Sequence, residues 1–182
     1  FRQRYLGERR LARAALALPH AETISTIDDY LVREPLDAFE LTSAALFTRA
    51  DDGQFVREAS LGWPDETART LSHDDRIALS LAAEHVPLRV KEVHWLRNDI
   101  LSGTFAPVLA VPVLVRRRLK AIALYGSHAN GADLDIDEIQ SLNALAQSAS
   151  AAYDHLEAVT LRQQVSEQRK EIELLRSAAV QS

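Results

Sequence analysis

The sequence predicts a mixed α+β domain, with helices and an antiparallel sheet in one unit, carried between long N- and C-terminal helices. Three observations predict it. Apolar residues recur at helical spacing near both ends, at Leu11, Ala14, Ala15 and Leu18 and again from Leu142 onward. Between them lie two pairs of short strand-like runs, 41–47 with 55–61 and 108–115 with 119–125. A helical segment over 74–84 separates the two pairs, with Ile77 and Leu81 facing inward.

Composition sets the bounds. The chain has 182 residues, 47% of them hydrophobic and 26% charged, enough for a core in one domain of ordinary size plus extra helix. A net charge of −5 argues against nucleic acid as a partner, since such binders carry a basic excess. There is no Cys, which excludes disulfides, zinc-thiolate sites, thiol nucleophiles and thioether-linked chromophores. Met is absent even at position 1, so the sequence reads as a piece of a longer protein. Eighteen Arg against three Lys, with abundant Ala, suit a GC-rich bacterial source.

Taken in order, residues 3–18 form the first helix, ended by Pro19. Phe1 precedes a basic run (Arg2, Arg4, Arg9, Arg10 and Arg13 against Glu8 alone). Such a run is either the cytoplasmic flank of a membrane helix or a solvated helix face. A second helix is expected over 21–33, with Ile24, Ile27 and Leu31 on one face and Pro35 as its stop. Leu41–Phe47 and Phe55–Leu61 flank the turn Ala50-Asp51-Asp52-Gly53 and read as a β-hairpin.

Leu88-Arg89-Val90 is a short strand, and 91–105 fit neither period, reading as a structured loop or a short helix. Val108–Val115 is continuously apolar, as a strand near the sheet centre would be, and Pro112 within it implies a bulge or one unpaired edge. Its connection to Leu119–Tyr125, Arg116-Arg117-Arg118, lacks the Gly or Asn that a tight primed turn prefers. From Asp135 the reading is one long helix, opened by the capping box Asp135…Glu138. Leu142, Leu145, Ala149, Ala152, Leu156 and Val159 should pack on the sheet. A second frame, Leu161, Val165, Gln168, Ile172, Leu175 and Ala179, has no domain left to cover it, so it should pair with a second copy as a coiled coil.

This order of elements resembles the GAF domain family. Leu41-Thr-Ser-Ala-Ala-Leu-Phe-Thr-Arg-Ala-Asp-Asp-Gly53 is similar to the family's first strand and turn, and Ala59-Ser-Leu-Gly-Trp63 to the end of its second strand. Ala110-Val-Pro-Val-Leu114 with Ala121-Ile-Ala-Leu-Tyr125 resembles its late strand pair, and 134–147 its closing helix. The resemblance covers roughly 20–158, leaving 1–19 and 159–182 as linker helices. It implies an antiparallel sheet of five or six strands, terminal helices on one face, and the middle segment as a lid over a pocket on the other.

Members of the family bind cyclic nucleotides, bilins, haem, iron or metabolites, or only dimerise. Thioether bilin attachment is excluded by the missing Cys, and the Asn-Lys of the cyclic-nucleotide signature does not occur. Trp63, Trp95 and Phe105 either line or plug the cavity, and with His94 and Asn98 they are the ligand-pocket candidates. His94 is the residue to test as a haem or ligand contact; the cofactor is otherwise unknown.

No metal-ligand spacing and no catalytic motif appears. The reading is therefore a non-catalytic regulatory module of a bacterial signalling protein, homodimeric through Leu161, Val165, Gln168, Ile172 and Leu175. It would pass a signal to an output domain beyond this sequence, and would be cytoplasmic or the cytoplasmic part of a membrane-anchored protein. The alternatives are a small-molecule or haem sensor and an enzyme of the free methionine sulfoxide reductase type, which depends on cysteines.

Overall fold

A computed structural model describes residues 2–181; Phe1 and Ser182, at the two ends of the expected linkers, lie outside the described residues. The chain runs α1 (Arg2–Ala17), a 3-10 turn (Leu18–His20), α2 (Ile24–Phe39), β1 (Ala44–Arg49), β2 (Phe55–Leu61), β3 (Thr70–Leu71) and α3 (Arg76–Glu84). It continues with β4 (Leu88–Arg89), β5 (Pro107–Val115), β6 (Arg118–Gly126) and α4 (Ile136–Gln181). The six strands form one antiparallel sheet in the order β3-β2-β1-β6-β5-β4.

Both faces of this sheet are covered. Leu46, Val111, Val113 and Tyr125 point to a layer of α1, α2 and α4 built on Leu11, Leu18, Ile27, Leu31 and Leu142. Phe47, Ile122 and Leu124, one residue out of step, point to the other side, where Trp63, Leu71, Ile77 and Leu81 meet them. Double coverage explains why β6 is buried from Ala121 to Gly126 with no polar alternation.

The helical layer departs from the sequence reading in α2. It starts at Ile24, capped by the Thr23 hydroxyl accepting from the Thr26 N–H at 3.2 Å. Ile24 is outside the apolar face, 40% exposed, whereas Ile27 and Leu31 are fully buried. Pro35 does not stop the helix, which continues to Phe39. A proline removes the N–H that would bond the carbonyl four residues back, here that of Leu31. The Tyr125 hydroxyl donates to that carbonyl instead, at 2.7 Å in a buried site. The helix thus survives because a strand ninety residues away supplies the missing donor, and burial pushes the Tyr125 phenol well above its ordinary pKa.

Three strand details also differ. β1 begins at Ala44 rather than Leu41, which makes an isolated bridge to His128. β5 lies second from an edge, not at the centre. Its neighbour β4 pairs only with Leu109 and Ala110, so at Pro112, which pairs with Ile122 of β6, the missing N–H leaves no ladder bond broken on the β4 side. Arg116 and Arg117 do form a tight turn, both left-handed at φ 53° and 66°, conformations usually left to Gly or Asn. The Arg116 guanidinium reaches Asp154 of α4 at 3.0 Å in an exposed ion pair. Residues 91–105 are irregular apart from 3-10 turns at Val90–Val93 and Gly103–Phe105.

α1 lies along the domain, with Leu11 and Leu18 in the core and Gly7 against the end of α2. α4 is continuous for 46 residues, about 70 Å at 1.5 Å per residue. Leu142, Leu145, Ala149 and Ala152 are buried as expected, and Tyr153 joins them. Beyond residue 159 the helix leaves the domain and every described residue is exposed.

Candidate functional site

The lid face is where a pocket was expected, and it is filled with side chains. Trp63, two residues past β2, is buried edge-on to Phe47 with ring centroids 5.7 Å apart. The Arg57 guanidinium sits 5.5 Å from the Trp63 ring, and burial lowers its pKa. The indole Nε1 of Trp63 is buried and has no hydrogen-bond partner among the described residues. Trp95 is half-buried, and its Nε1 donates to Asp75 Oδ2 at 3.0 Å. Asp75 also caps α3 by accepting from the Ile77 N–H at 2.9 Å and receives Arg97 at 3.2 Å, so one carboxylate fastens the lid to the start of α3.

The other pocket candidates do not join this cluster. His94 is exposed, in a left-handed conformation, beside an open groove that it shares with Arg76, Leu79 and Glu92. Asn98 is exposed. Phe105 is 50% exposed, and its carbonyl, not its ring, makes the inward contact, accepting from Ser43 Oγ at 2.8 Å. Trp63 and Trp95 therefore pack together with the lid core, and His94, Asn98 and Phe105 face solvent.

A second place emerges at the root of α4. A cavity of about 540 Å³ opens between α1, the end of α2, the loop after β6 and the first turn of α4. The predicted capping box is present: Glu138 N–H donates to Asp135 Oδ1 at 2.9 Å, and Asp135 N–H to Glu138 Oε1 at 3.0 Å. Glu138 is also buried against His128, whose Nε2 lies 2.8 Å from Oε2, while His128 Nδ1 lies 2.7 Å from the Phe39 carbonyl oxygen. Burial pulls the His128 pKa down, but Glu138, the Phe39 carbonyl and Asp135 outweigh it and leave the pKa raised. Arg4 of α1 reaches Asp135 at 3.2 Å and also binds Asp137 and Glu8. The sequence signalled the box but not its partner, because His128 sits ten residues upstream in a loop at no recognised spacing.

Further along α4, Tyr153 donates its hydroxyl to Asp28 of α2. Burial, the largest influence, raises the Asp28 pKa; the Tyr153 bond and Lys120 oppose it, and Glu58 adds to it. Past this anchor the proposed seam is bare: Leu161, Val165, Ile172 and Leu175 are 57%, 41%, 49% and 65% exposed, and Gln168 is exposed between them.

No family model matches this sequence, and no curated protein matches it. Solved structures do. The GAF domain of a phosphoenolpyruvate-protein phosphotransferase from Coxiella burnetii superposes with a TM-score of 0.67 at 16% identity, covering 87% of this chain and 98% of that one. The GAF domain of the Acinetobacter phosphoenolpyruvate-protein phosphotransferase gives 0.66 at 16% identity, covering 83% and 94%. A free methionine-R-sulfoxide reductase from Neisseria meningitidis, in complex with its substrate, gives 0.66 at 13% identity, covering 86% and 93%. The chain has the GAF fold. Its similar structures are mostly GAF domains, several from signalling proteins. No described helix is long and apolar enough to cross a membrane, and no described group of His, Asp and Glu is placed to hold a metal ion.

Proposed function

We propose that this chain is a non-catalytic regulatory module of a bacterial signalling protein, which dimerises through the exposed half of α4 and passes a signal along it to an output domain. The observation that carries the reading is the division of α4. One continuous helix is core on one side of residue 159 and wholly exposed on the other, yet the exposed half repeats Leu161, Val165, Gln168, Ile172, Leu175 in steps of four and three. An isolated helix of that length is marginal in water. A second copy is the partner such a heptad fits, and Gln168 in its centre would fix register at some cost in stability. Any shift of α4 against the sheet would then travel into the seam without a break in the helix. The module would work in the cytoplasm, alone or as part of a membrane-anchored protein. The test is whether acidic substitutions at Ile172 and Leu175 abolish the dimer.

A second reading, a small-molecule sensor, is favoured by the buried and unpartnered Nε1 of Trp63, because such donors are costly without an acceptor. A ligand or water accepting from it would remove that cost. In a thermal-shift screen of nucleotides, amino acids, aromatic acids and haem, a compound at 100 times its Kd adds about 2.7 kcal/mol. That corresponds to about 5–11 °C in a domain of this size. The gain should shrink in Trp63→Phe, which lacks the N–H. No shift with any compound, or one unchanged in Trp63→Phe, excludes this form of the reading.

A further inference from the structure

We propose that His128 is a proton-operated latch that holds the root of α4 to the end of α2, closed when its ring carries two protons and released when it loses one. The geometry favours the charged ring. The Phe39 carbonyl can only accept a hydrogen bond, so Nδ1 at 2.7 Å from it must carry a proton. Glu138 faces Nε2 with both oxygens, at 2.8 and 3.0 Å, and its Oε1 already accepts the Asp135 N–H. An ionised carboxylate there accepts too, so a proton on Nε2 satisfies both groups. A neutral imidazole has one N–H and one lone pair, and either tautomer would set that lone pair against an oxygen in a partly buried site.

The surroundings favour the imidazolium. Asp37 of α2 and Glu40 just after it border the same cavity, with Asp133 from the loop, Asp135 just before α4 and Glu138 within it. α1 contributes Arg4 and Arg10, both already engaged, Arg4 with Glu8, Asp135 and Asp137 and Arg10 with Glu34 and Asp37. Five carboxylates therefore border the cavity against two guanidiniums, with Asp133 also paired to Arg89 at 3.0 Å and Lys91 at 3.9 Å. The direction of the His128 shift agrees: its pKa is raised above the ordinary 6.5. A group whose pKa rises on folding contributes fully below its unfolded value and loses that contribution as pH climbs through the folded one. The latch is thus closed below about pH 6.5 and opens at higher pH.

Its position gives the proton a route outward. His128 touches the last residue of α2 and the capping residue of α4, and the neighbouring backbone stitches the same segments, with Ala129 N–H on Glu40 O at 2.8 Å. Opening would loosen the first turn of the helix that carries the proposed seam. The latch does not depend on dimerisation, and it is read at the opposite end of α4.

The experiment is a pH titration of the intact chain by NMR, following the His128 ring nitrogens. Hydrogen exchange at the amides of 138–142, corrected for intrinsic rates, is followed alongside. Both nitrogens should be protonated at pH 6, with a midpoint above 6.5. Protection of the first turn of α4 should fall about tenfold for each unit by which that midpoint exceeds 6.5, and His128→Gln should abolish this pH dependence. A midpoint at or below 6.5, a ring neutral at pH 6, or protection independent of pH in the parent chain would overturn the latch. The ring titration uses the parent protein, so it decides the matter even if His128→Gln folds poorly.

Discussion

Ile172→Glu combined with Leu175→Glu is expected to turn the chain into a monomer at concentrations where the parent sediments as a dimer. In the proposed dimer each chain gives two apolar side chains to the seam, so the variant loses four. Burying an Ile or Leu side chain contributes about 1.5–3 kcal/mol, so the loss is on the order of 6–12 kcal/mol before repulsion is counted. Every 1.4 kcal/mol is about tenfold in Kd, which places the variant's Kd more than about a thousandfold above the parent's. The domain's melting should stay nearly unchanged, because both residues lie beyond its surface, 49% and 65% exposed. Full retention of the dimer by the double variant would mean that the stripe is not the interface.

Tyr153→Ala should produce the largest loss of domain stability, about 3–5 kcal/mol by analogy with other buried aromatic truncations. Tyr153 is fully buried where α4 leaves the domain, and its hydroxyl holds Asp28 of α2. Tyr153→Phe separates the two contributions: it keeps the ring and removes the donor, costing about 1–3 kcal/mol as Asp28 loses a bond in a partly desolvated site. Asp28 also adds a pH dependence. Its raised pKa means that the folded state holds this proton more tightly than the unfolded one, so its contribution favours folding at low pH and is lost as pH rises through the folded value. Urea denaturation at two pH values measures all three. Equal losses for Tyr153→Ala and Tyr153→Phe would show that the hydroxyl, not the packing, anchors this end of α4.

What could be read in the sequence was whatever rests on neighbours. The capping box at Asp135 and Glu138, the turn at Gly53, the sheet-packing stripe of α4 and the strand pairs follow from local spacing, and each is present. What could not be read depends on partners far along the chain. Pro35 looked like a helix stop because nothing nearby shows that Tyr125 will serve the orphaned Leu31 carbonyl. The candidate site was legible in kind only. Lid aromatics were expected to line or plug, and Trp63 and Trp95 pack, but no pattern showed that Phe105 would turn its ring outward. The His128 cavity had no signal, since it is built from four elements.

The proposed dimer pairs two copies through α4, here taken as a parallel coiled coil, and the absence of Cys permits a direct measurement. Leu161→Cys and Leu175→Cys, made singly, each place one thiol in the seam, and the two positions are about 21 Å apart along a helix. Under mild oxidation each variant should crosslink to itself in high yield, because in a parallel pair every seam residue meets its own copy. If neither variant crosslinks alone, or if the two crosslink to each other only when mixed, the parallel seam is contradicted.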